Sequence, residues 1–207
     1  MPKPPPRSAP RSRRSPRPRS EAVAPSHVVV GARGRESRMV DVGEKPVTAR
    51  RATARARVRF PRNLLKGLLE RGGPKGPITE VARAAGVLAA KRTGDLIPMC
   101  HPLGLDVVDV RIEPIDGTTL EVRCTAACTG RTGVEMEAMV GAAIAALTIY
   151  DMTKALDPRI EIRSVELLEK SGGKSGHWKR TGGARARAAT APGRRNTARG
   201  QENEVKR

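Results

Sequence analysis

The stretch LDVVDVRIEPIDGTTLEVRCTAACT, residues 105–129, consists of two extended runs separated by Asp116-Gly117. An Asp-Gly pair between two such runs is what a tight type I′ hairpin turn requires. We therefore predict a β-hairpin with strands at 105–115 and 118–129, closed by a type I′ turn.

A further strand is predicted upstream of this hairpin. Residues 52–60, ATARARVRF, alternate strictly, with alanines, Val58 and Phe60 on one face and Thr53 and three arginines on the other. Alternation with a period of two indicates a half-buried strand. Its outer face would be basic.

Two helices are predicted between that strand and the hairpin. Leucines at 64, 65, 68 and 69 follow Asn63, which can cap a helix, and Gly72-Gly73 would end it. The second helix is predicted to start at Pro77, because apolar residues recur at helical spacing from there to residue 89. We expect it to end by Thr93 or Gly94.

A long helix and a last strand are predicted after the hairpin. Thr132 and Glu135 have the spacing of a capping box, which assigns Glu135 to the fold. The helix would run to Met152, and its Ala and Gly residues at 141–146 permit close approach by another helix. A strand at 160–168 would lead into the Gly-rich loop, residues 171–176. This order favours an α+β fold, with helices packed on a mostly antiparallel sheet.

The charge of the chain is concentrated at its ends. The formal net charge of the 207 residues is +19. Residues 1–38 contain ten Lys and Arg against two Glu, and residues 179–207 contain nine against two. The start of the first segment, PKPPPRSAPRSRRSPRPRS, is dense in proline and has nothing apolar to bury, so we expect disordered basic tails around one domain at 39–178. The first segment also resembles an organelle transit peptide, but its prolines disfavour the amphipathic helix.

The composition excludes several classes of protein. The sequence contains no apolar run long enough for a signal peptide or a membrane span, which predicts a soluble cytoplasmic protein without a membrane partner. Three cysteines fit a reducing compartment. Only Phe60, Tyr150 and Trp178 could stack on bases, so no specific nucleic-acid partner is expected. A non-catalytic basic nucleotide- or nucleic-acid-binding protein remains the alternative hypothesis.

Asp151 and Lys154 lie three residues apart on the long predicted helix and share a face. An ordinary surface ion pair is one interpretation. A carboxylate beside an amine in apolar surroundings, however, can have its pKa tuned for acid-base catalysis. Glu137 falls on nearly the same face, about 21 Å away along the axis. A site that uses both Glu137 and Asp151 would therefore be shared between subunits of a symmetric oligomer.

Cys100-His101 could belong to a metal or ligand site. Zinc needs three or four converging ligands, and Cys124 and Cys128 would lie about 13 Å apart on a strand, so no metal site is predicted. We expect His101 to hydrogen-bond a ligand and Cys100 to line the wall. A purely structural role for His101 remains open.

The Gly-rich loop has the composition of a phosphate cradle. Successive glycines let backbone N–H groups point at an anion, and Lys170 and Lys174 add positive charge. The loop is not a Walker A motif, because the required first glycine would fall on Leu168. A flexible connection to the C-terminal tail is the alternative. Lys75-Gly76, before the second predicted helix, is a weaker signal of the same kind.

Residues 39–178 resemble the cyclic pyranopterin monophosphate synthase family of molybdenum cofactor biosynthesis. The match begins at MVDV (39–42) and rests on four motifs in family order and spacing: AAKRTGDLIPMCHPL (89–103), TGVEMEA (132–138), ALTIYDMTKA (146–155) and LLEKSGGKSG (167–176). It implies a lyase that converts cyclised dihydroguanosine triphosphate, made upstream by a radical enzyme, to cyclic pyranopterin monophosphate and pyrophosphate. It also implies a ferredoxin-like fold and a homohexamer built as a trimer of dimers.

The same resemblance implies roles for individual residues. Asp151, Lys154 and Lys75 would be catalytic. Substrate-binding roles fall to Met99, Cys100, His101, Met136 and Glu137. Two departures alter the expected wall of the site, because Gly94 stands where the family commonly has Trp and Pro77 where it commonly has Asp.

The predicted chemistry agrees with these residues. Lys170 and Lys174 could stabilise the charge of the departing pyrophosphate, and the acid-base groups could serve the proton transfers. No redox cofactor or resident metal is predicted. Mg²⁺ bound to the triphosphate is compatible with this set of residues.

Overall fold

The computed structural model of the chain describes residues 28–31 and 34–181. Within them the elements are, in chain order, β1 (Val28–Gly31), β2 (Gly34–Ser37), β3 (Thr48–Arg59), α1 (Leu64–Arg71), α2 (Ile78–Lys91), α3 (Thr93–Leu96), β4 (Val107–Asp116), β5 (Thr119–Gly130), α4 (Glu135–Thr153), β6 (Glu161–Ser171) and β7 (Trp178–Lys179).

β1 and β2 form an antiparallel two-stranded sheet within the segment for which the sequence predicted disorder. Three consecutive valines in β1 favour the extended conformation of this short strand pair. Of the other residues in the predicted N-terminal tail, the structure describes only Arg38. Residues 1–27, 32 and 33 lie outside the described residues. The prediction of disorder for residues 182–207 lies outside the described residues.

The main sheet positions the candidate site. Its strand order is β4-β5-β3-β6-β7, and each pair in it is antiparallel. Apart from the two-residue β7, the main-sheet strands and long helices follow the βαββαβ order of the ferredoxin-like fold, with β3 between β5 and β6. The predicted α+β fold, with helices packed on an antiparallel sheet, is confirmed.

β3 lies at the centre of this sheet and shows the predicted alternation. Its inward side chains and Phe60 after it are almost fully buried and contribute to the core: Ala52, Ala54, Ala56, Val58 and Phe60. On the outer face, Arg57 donates a hydrogen bond from Nε to Glu121 at 3.0 Å, and Arg55 donates from Nη2 to Glu166 at 2.8 Å. The outer face is therefore basic in sequence but compensated by carboxylates from neighbouring strands.

α2 and α4 pack closely against each other, as the small residues at 141–146 predicted. A Cβ atom added at Gly86 would lie 2.9 Å from the carbonyl oxygen of Gly141, and one added at Gly141 would lie 3.1 Å from that of Gly86. α4 is long and apolar enough to cross a membrane by composition. Its buried residues instead pack against α2 and the sheet, as in the core helix of a globular domain.

The predicted hairpin is confirmed, but the type I′ turn is wrong. Neither Asp116 nor Gly117 has the positive φ that this turn needs. The carboxylate of Asp116 instead accepts hydrogen bonds from the backbone N–H of Thr118 at 2.7 Å and from its hydroxyl at 2.8 Å. Asn63 does occupy the N-cap position of α1, with φ of 66° and without a side-chain capping bond.

The predicted capping box of α4 is also wrong. The helix begins at Glu135, and its N-cap residue is Val134. Glu135 accepts a hydrogen bond from Lys170 Nζ at 2.8 Å, so its carboxylate reaches toward β6 rather than back toward Thr132.

The last predicted strand is longer than the sequence indicated. β6 continues through Lys170 to Ser171, and its end pairs with β7, where Lys170 lies opposite Trp178. The Gly-rich loop is therefore the turn between β6 and β7. Because both of its ends are held by strand pairing, it is not a free connection to the C-terminal tail.

Candidate active site

A cavity of about 210 Å³ lies between the N-terminal end of α4 and the segment that follows α3. The structure brings five of the predicted substrate-binding residues together in its wall: Met99, Cys100, His101, Met136 and Glu137. The rest of the lining consists of Val40, Val42, Lys45, Leu103 and Thr132. We call this cavity the Glu137 pocket.

Glu137 places a buried carboxyl group in the wall of this pocket. Its side chain is 3 % exposed, and its Oε2 has no hydrogen-bond partner among the described residues. Burial, together with the nearby charge of Glu135, raises the pKa of Glu137 above its ordinary value. An unpaired buried oxygen costs free energy unless a ligand supplies a donor. The Glu137 pocket is thus suited to a ring that presents N–H groups.

Cys100 lines the wall, as predicted, and its environment disfavours thiolate formation. Burial, and then the charge of Glu137, raises the pKa of the Cys100 thiol. Since the thiolate is the nucleophilic form of cysteine, Cys100 is better suited to packing against a ligand than to attacking one.

A second cavity, of about 230 Å³, adjoins the Glu137 pocket, and the two share Lys45 and Thr132 in their linings. We call it the cationic pocket, because its wall carries six basic side chains: Lys45, Arg50, Arg51, Arg131, Lys170 and Lys174. Its acidic lining residue, Glu135, is paired with Lys170. The predicted pair Lys170 and Lys174 therefore belongs to a larger cluster of basic side chains.

Four of these cations were missed by sequence reasoning: Lys45, Arg50, Arg51 and Arg131. Lys45 precedes β3, Arg50 and Arg51 lie near its start, and Arg131 follows the end of β5. The antiparallel register brings these two strand ends side by side, with Arg50 opposite Cys128. The residue types alone gave no signal, because arginine is common throughout the chain. Only the pairing of these two strands could have identified them.

Asp151, Lys154 and Lys75 meet at the other end of α4, and we call them the Asp151 cluster. Lys154 Nζ lies 2.7 Å from Asp151 Oδ1, which confirms the shared helix face. Lys75 reaches Asp151 from the loop between α1 and α2, with Nζ 2.9 Å from Oδ2 and 3.1 Å from the backbone carbonyl oxygen.

The electrostatics of the Asp151 cluster differ from what its apolar sequence neighbours suggested. The Asp151 side chain is 55 % exposed, so this chain alone does not supply apolar surroundings. Hydrogen bonds from Lys154 and Lys75, reinforced by their charges, lower the pKa of Asp151 to about 2. The same contact with Asp151 raises the pKa of Lys154. At neutral pH the cluster is therefore a carboxylate held between two ammonium groups.

The chain separates its site residues into two groups. α4 is one continuous helix from Glu135 to Thr153, so the fourteen residues from Glu137 to Asp151 correspond to about 21 Å along the axis. The Glu137 pocket and the cationic pocket lie at the N-terminal end, and the Asp151 cluster lies at the C-terminal end. A small ligand cannot contact both ends within one chain.

Within the part of the chain that the structure describes, no three His, Cys, Asp or Glu side chains converge as ligands. Cys124, a formal candidate, is buried in the core, and burial raises the pKa of its thiol to about 12.

The fold and these groups define a class of protein: a ferredoxin-like α+β domain whose polar pocket adjoins a cationic one, as expected for a phosphorylated small molecule. Residues 39–173 match the MoaC family. The chain is 52 % identical over 145 residues to the cyclic pyranopterin monophosphate synthase of Chloroflexus aggregans, covering 70 % of this chain and 88 % of that protein.

Two further relatives agree. Cyclic pyranopterin monophosphate synthase 1 of Mycobacterium tuberculosis (strain H37Rv) is 51 % identical over 145 residues, covering 70 % of this chain and 85 % of that protein. The synthase of Brucella abortus is 53 % identical over 141 residues, covering 68 % and 86 %. The chain therefore belongs to the MoaC family, and the resemblance drawn from its motifs is confirmed.

Proposed function

We propose that this MoaC-family chain is a cyclic pyranopterin monophosphate synthase of molybdenum cofactor biosynthesis. It is a lyase that converts cyclised dihydroguanosine triphosphate to cyclic pyranopterin monophosphate and pyrophosphate. The observation that carries the proposal is the adjacency of the Glu137 pocket and the cationic pocket, which share Lys45 and Thr132. A polar cavity beside a cluster of cations matches a substrate that joins a nitrogen-rich ring to a triphosphate.

The Glu137 pocket holds the ring in this proposal. The unpaired Oε2 of Glu137 accepts a hydrogen bond from a ring N–H group, which removes the cost of leaving that oxygen buried without a partner. His101 hydrogen-bonds the substrate from the facing wall. Met99 and Met136, which are flexible and apolar, adapt to the shape of the ring.

The cationic pocket holds the triphosphate. Closing the cyclic phosphate expels pyrophosphate, and the positive charge of Lys170 and Lys174 stabilises the leaving group as its charge develops. Mg²⁺ would enter bound to the triphosphate rather than on a site of its own. The reaction transfers no electrons to an acceptor, so we propose no redox cofactor.

The Asp151 cluster supplies the acid-base groups. Rearranging a purine into a pterin requires repeated proton transfers. In the free chain Asp151 raises the pKa of Lys154 and orients both Lys154 and Lys75 as proton donors, while its own low pKa makes it a weak base. If a second subunit covers Asp151, the loss of solvent raises its pKa and strengthens it as a base.

A complete site then combines two subunits. The Glu137 pocket and the cationic pocket of one subunit meet the Asp151 cluster of another, which overcomes the separation along α4. Exposed apolar residues on α2 and α4 are consistent with a covered surface: Val81, Leu88 and Leu147. We propose the trimer-of-dimers hexamer that the resemblance implies, and a cytoplasmic location for this enzyme.

Turnover of the purified chain tests the proposal. Wild-type protein supplied with cyclised dihydroguanosine triphosphate is expected to release one pyrophosphate for each cyclic pyranopterin monophosphate formed. The alternative of a basic nucleic-acid binder has little support in the described residues, because Phe60 is buried and Trp178 packs against Arg180. Tight binding of nucleic acid without turnover would favour that alternative.

A further inference from the structure

The turn between β6 and β7 passes directly over Arg50. Gly172 and Gly173 in this turn have φ of 98° and 69°, which L side chains rarely adopt. A Cβ atom added at Gly173 would overlap Nη1 of Arg50, whereas one added at Gly172 would overlap the backbone carbonyl oxygen of Ala49. The turn can lie this close only because both residues lack a side chain.

Arg50 is held from its other side by two backbone carbonyl groups. Its Nε donates a hydrogen bond to the carbonyl oxygen of Gly130, and its Nη2 donates one to that of Arg131, each at 3.3 Å. These bonds use two of the five N–H groups of the guanidinium. The remaining N–H groups are available to an anion in the cationic pocket, whose wall includes Arg50.

We propose that Gly173 is a positioning residue that acts through Arg50. By lacking a side chain, Gly173 lets the turn confine the guanidinium against the two carbonyl groups, in the orientation that binds the pyrophosphate end of the substrate. A confined arginine loses less side-chain entropy when it binds a phosphate than a freely rotating one. This inference rests on the proposed function of the cationic pocket.

Gly176 provides a matched control in the same turn. Its φ is 63°, close to that of Gly173, but an added Cβ atom would have no other atom within 4 Å. Gly176→Ala therefore introduces similar backbone strain without touching Arg50. The difference between Gly173→Ala and Gly176→Ala isolates the displacement of the guanidinium.

Binding of inorganic pyrophosphate to the full chain, measured by calorimetry at one low ionic strength, tests the inference. Gly173→Ala is expected to weaken binding about tenfold, and Gly176→Ala by less than about twofold. In an Arg50→Ala background, adding Gly173→Ala should change the affinity no more than adding Gly176→Ala, because the group it displaces is gone. The double variant has no Arg50 guanidinium for the added Cβ atom to overlap. Its affinity for pyrophosphate can therefore be measured even if Gly173→Ala alone folds poorly.

Two results would overturn the positioning role while leaving the proposed function intact. One is equal affinity of Gly173→Ala and Gly176→Ala for pyrophosphate. The other is a loss from Gly173→Ala that persists at full size in the Arg50→Ala background. A wild-type chain that neither binds pyrophosphate nor turns over substrate would instead count against the proposed function itself.

Discussion

The two ends of α4 place carboxylates of the same helix in opposite environments. At the N-terminal end, Glu137 is 3 % exposed and leaves one oxygen without a described partner. At the C-terminal end, Asp151 is 55 % exposed and is paired with Lys75 and Lys154. Burial raises the pKa of Glu137, whereas the two lysines lower that of Asp151 to about 2.

This contrast separates the roles of the two carboxylates. Groups whose environments push their pKa values apart are suited to different steps of one reaction. Glu137 is suited to hydrogen-bonding a substrate in a confined pocket, and Asp151 to organising two proton donors. Because the groups lie about 21 Å apart along α4, a site that uses both carboxylates would have to draw on two subunits, as we propose.

The largest expected effect comes from Asp151→Asn. The substitution removes the charge that holds Lys75 and Lys154 in place but keeps the side-chain volume, so turnover should fall by about 10²–10⁴-fold. Thermal stability should change little, because exposed ion pairs contribute little. Steady-state kinetics and thermal melts measure the two quantities.

Asp157→Asn is the matched control for Asp151→Asn. Asp157 also pairs with a cation, Arg159, near the same end of α4, but it lies outside the Asp151 cluster. It should retain near-wild-type turnover. If Asp151→Asn keeps near-wild-type activity, Asp151 is an ordinary surface residue with no part in the reaction.

A smaller effect, on stability, is expected from Glu137→Gln. The folded chain holds a proton on Glu137 more readily than the unfolded chain, since burial raises its pKa. Wild-type stability therefore falls as pH rises from the ordinary carboxyl range through the raised pKa, while glutamine does not titrate. The Gln variant should gain about 2–4 °C in Tm over wild type across that window.

Melting curves of both proteins from pH 4 to pH 8 measure this gain. A constant difference between Glu137→Gln and wild type at every pH would contradict the buried, unpaired state of Glu137.

Much of the fold could be predicted from local patterns. The alternation in 52–60 and the Asp-Gly hairpin identified β3, β4 and β5, because side-chain periodicity and turn residues are local signals. The predictions failed where a side-chain hydrogen bond replaced the expected backbone arrangement. Lys170, 35 residues away, draws Glu135 away from a capping box, and the carboxylate of Asp116 holds its own turn through Thr118.

The site could be predicted only in part, for the same reason. Asp151 and Lys154 share a helix face and were paired from spacing alone. Lys75 lies 76 residues before Asp151, and no local pattern joins them. The cations Arg50 and Arg131 converge only through the register of β3 and β5. That register cannot be read from local sequence patterns.

The smallest effect is expected from removing the two ends of the chain. Deleting residues 1–27 and 182–207 should leave kcat, KM and Tm within about twofold or a few degrees of wild type, because their composition offers little apolar surface to bury. Arg180 should be kept, since it donates a hydrogen bond to the carbonyl oxygen of Leu167. Limited proteolysis should likewise trim the free chain toward residues 28–181, and protection of residues 1–27 would contradict this.

The central claim is that one site takes Glu137 from one subunit and Asp151 from another, and subunit exchange tests it most directly. Glu137→Ala and Asp151→Asn proteins, each inactive alone, are mixed under conditions that exchange subunits. In each mixed pair one site has both wild-type residues, so random exchange should restore about a quarter of the wild-type activity. If exchange is verified and activity stays at zero, the shared site is contradicted.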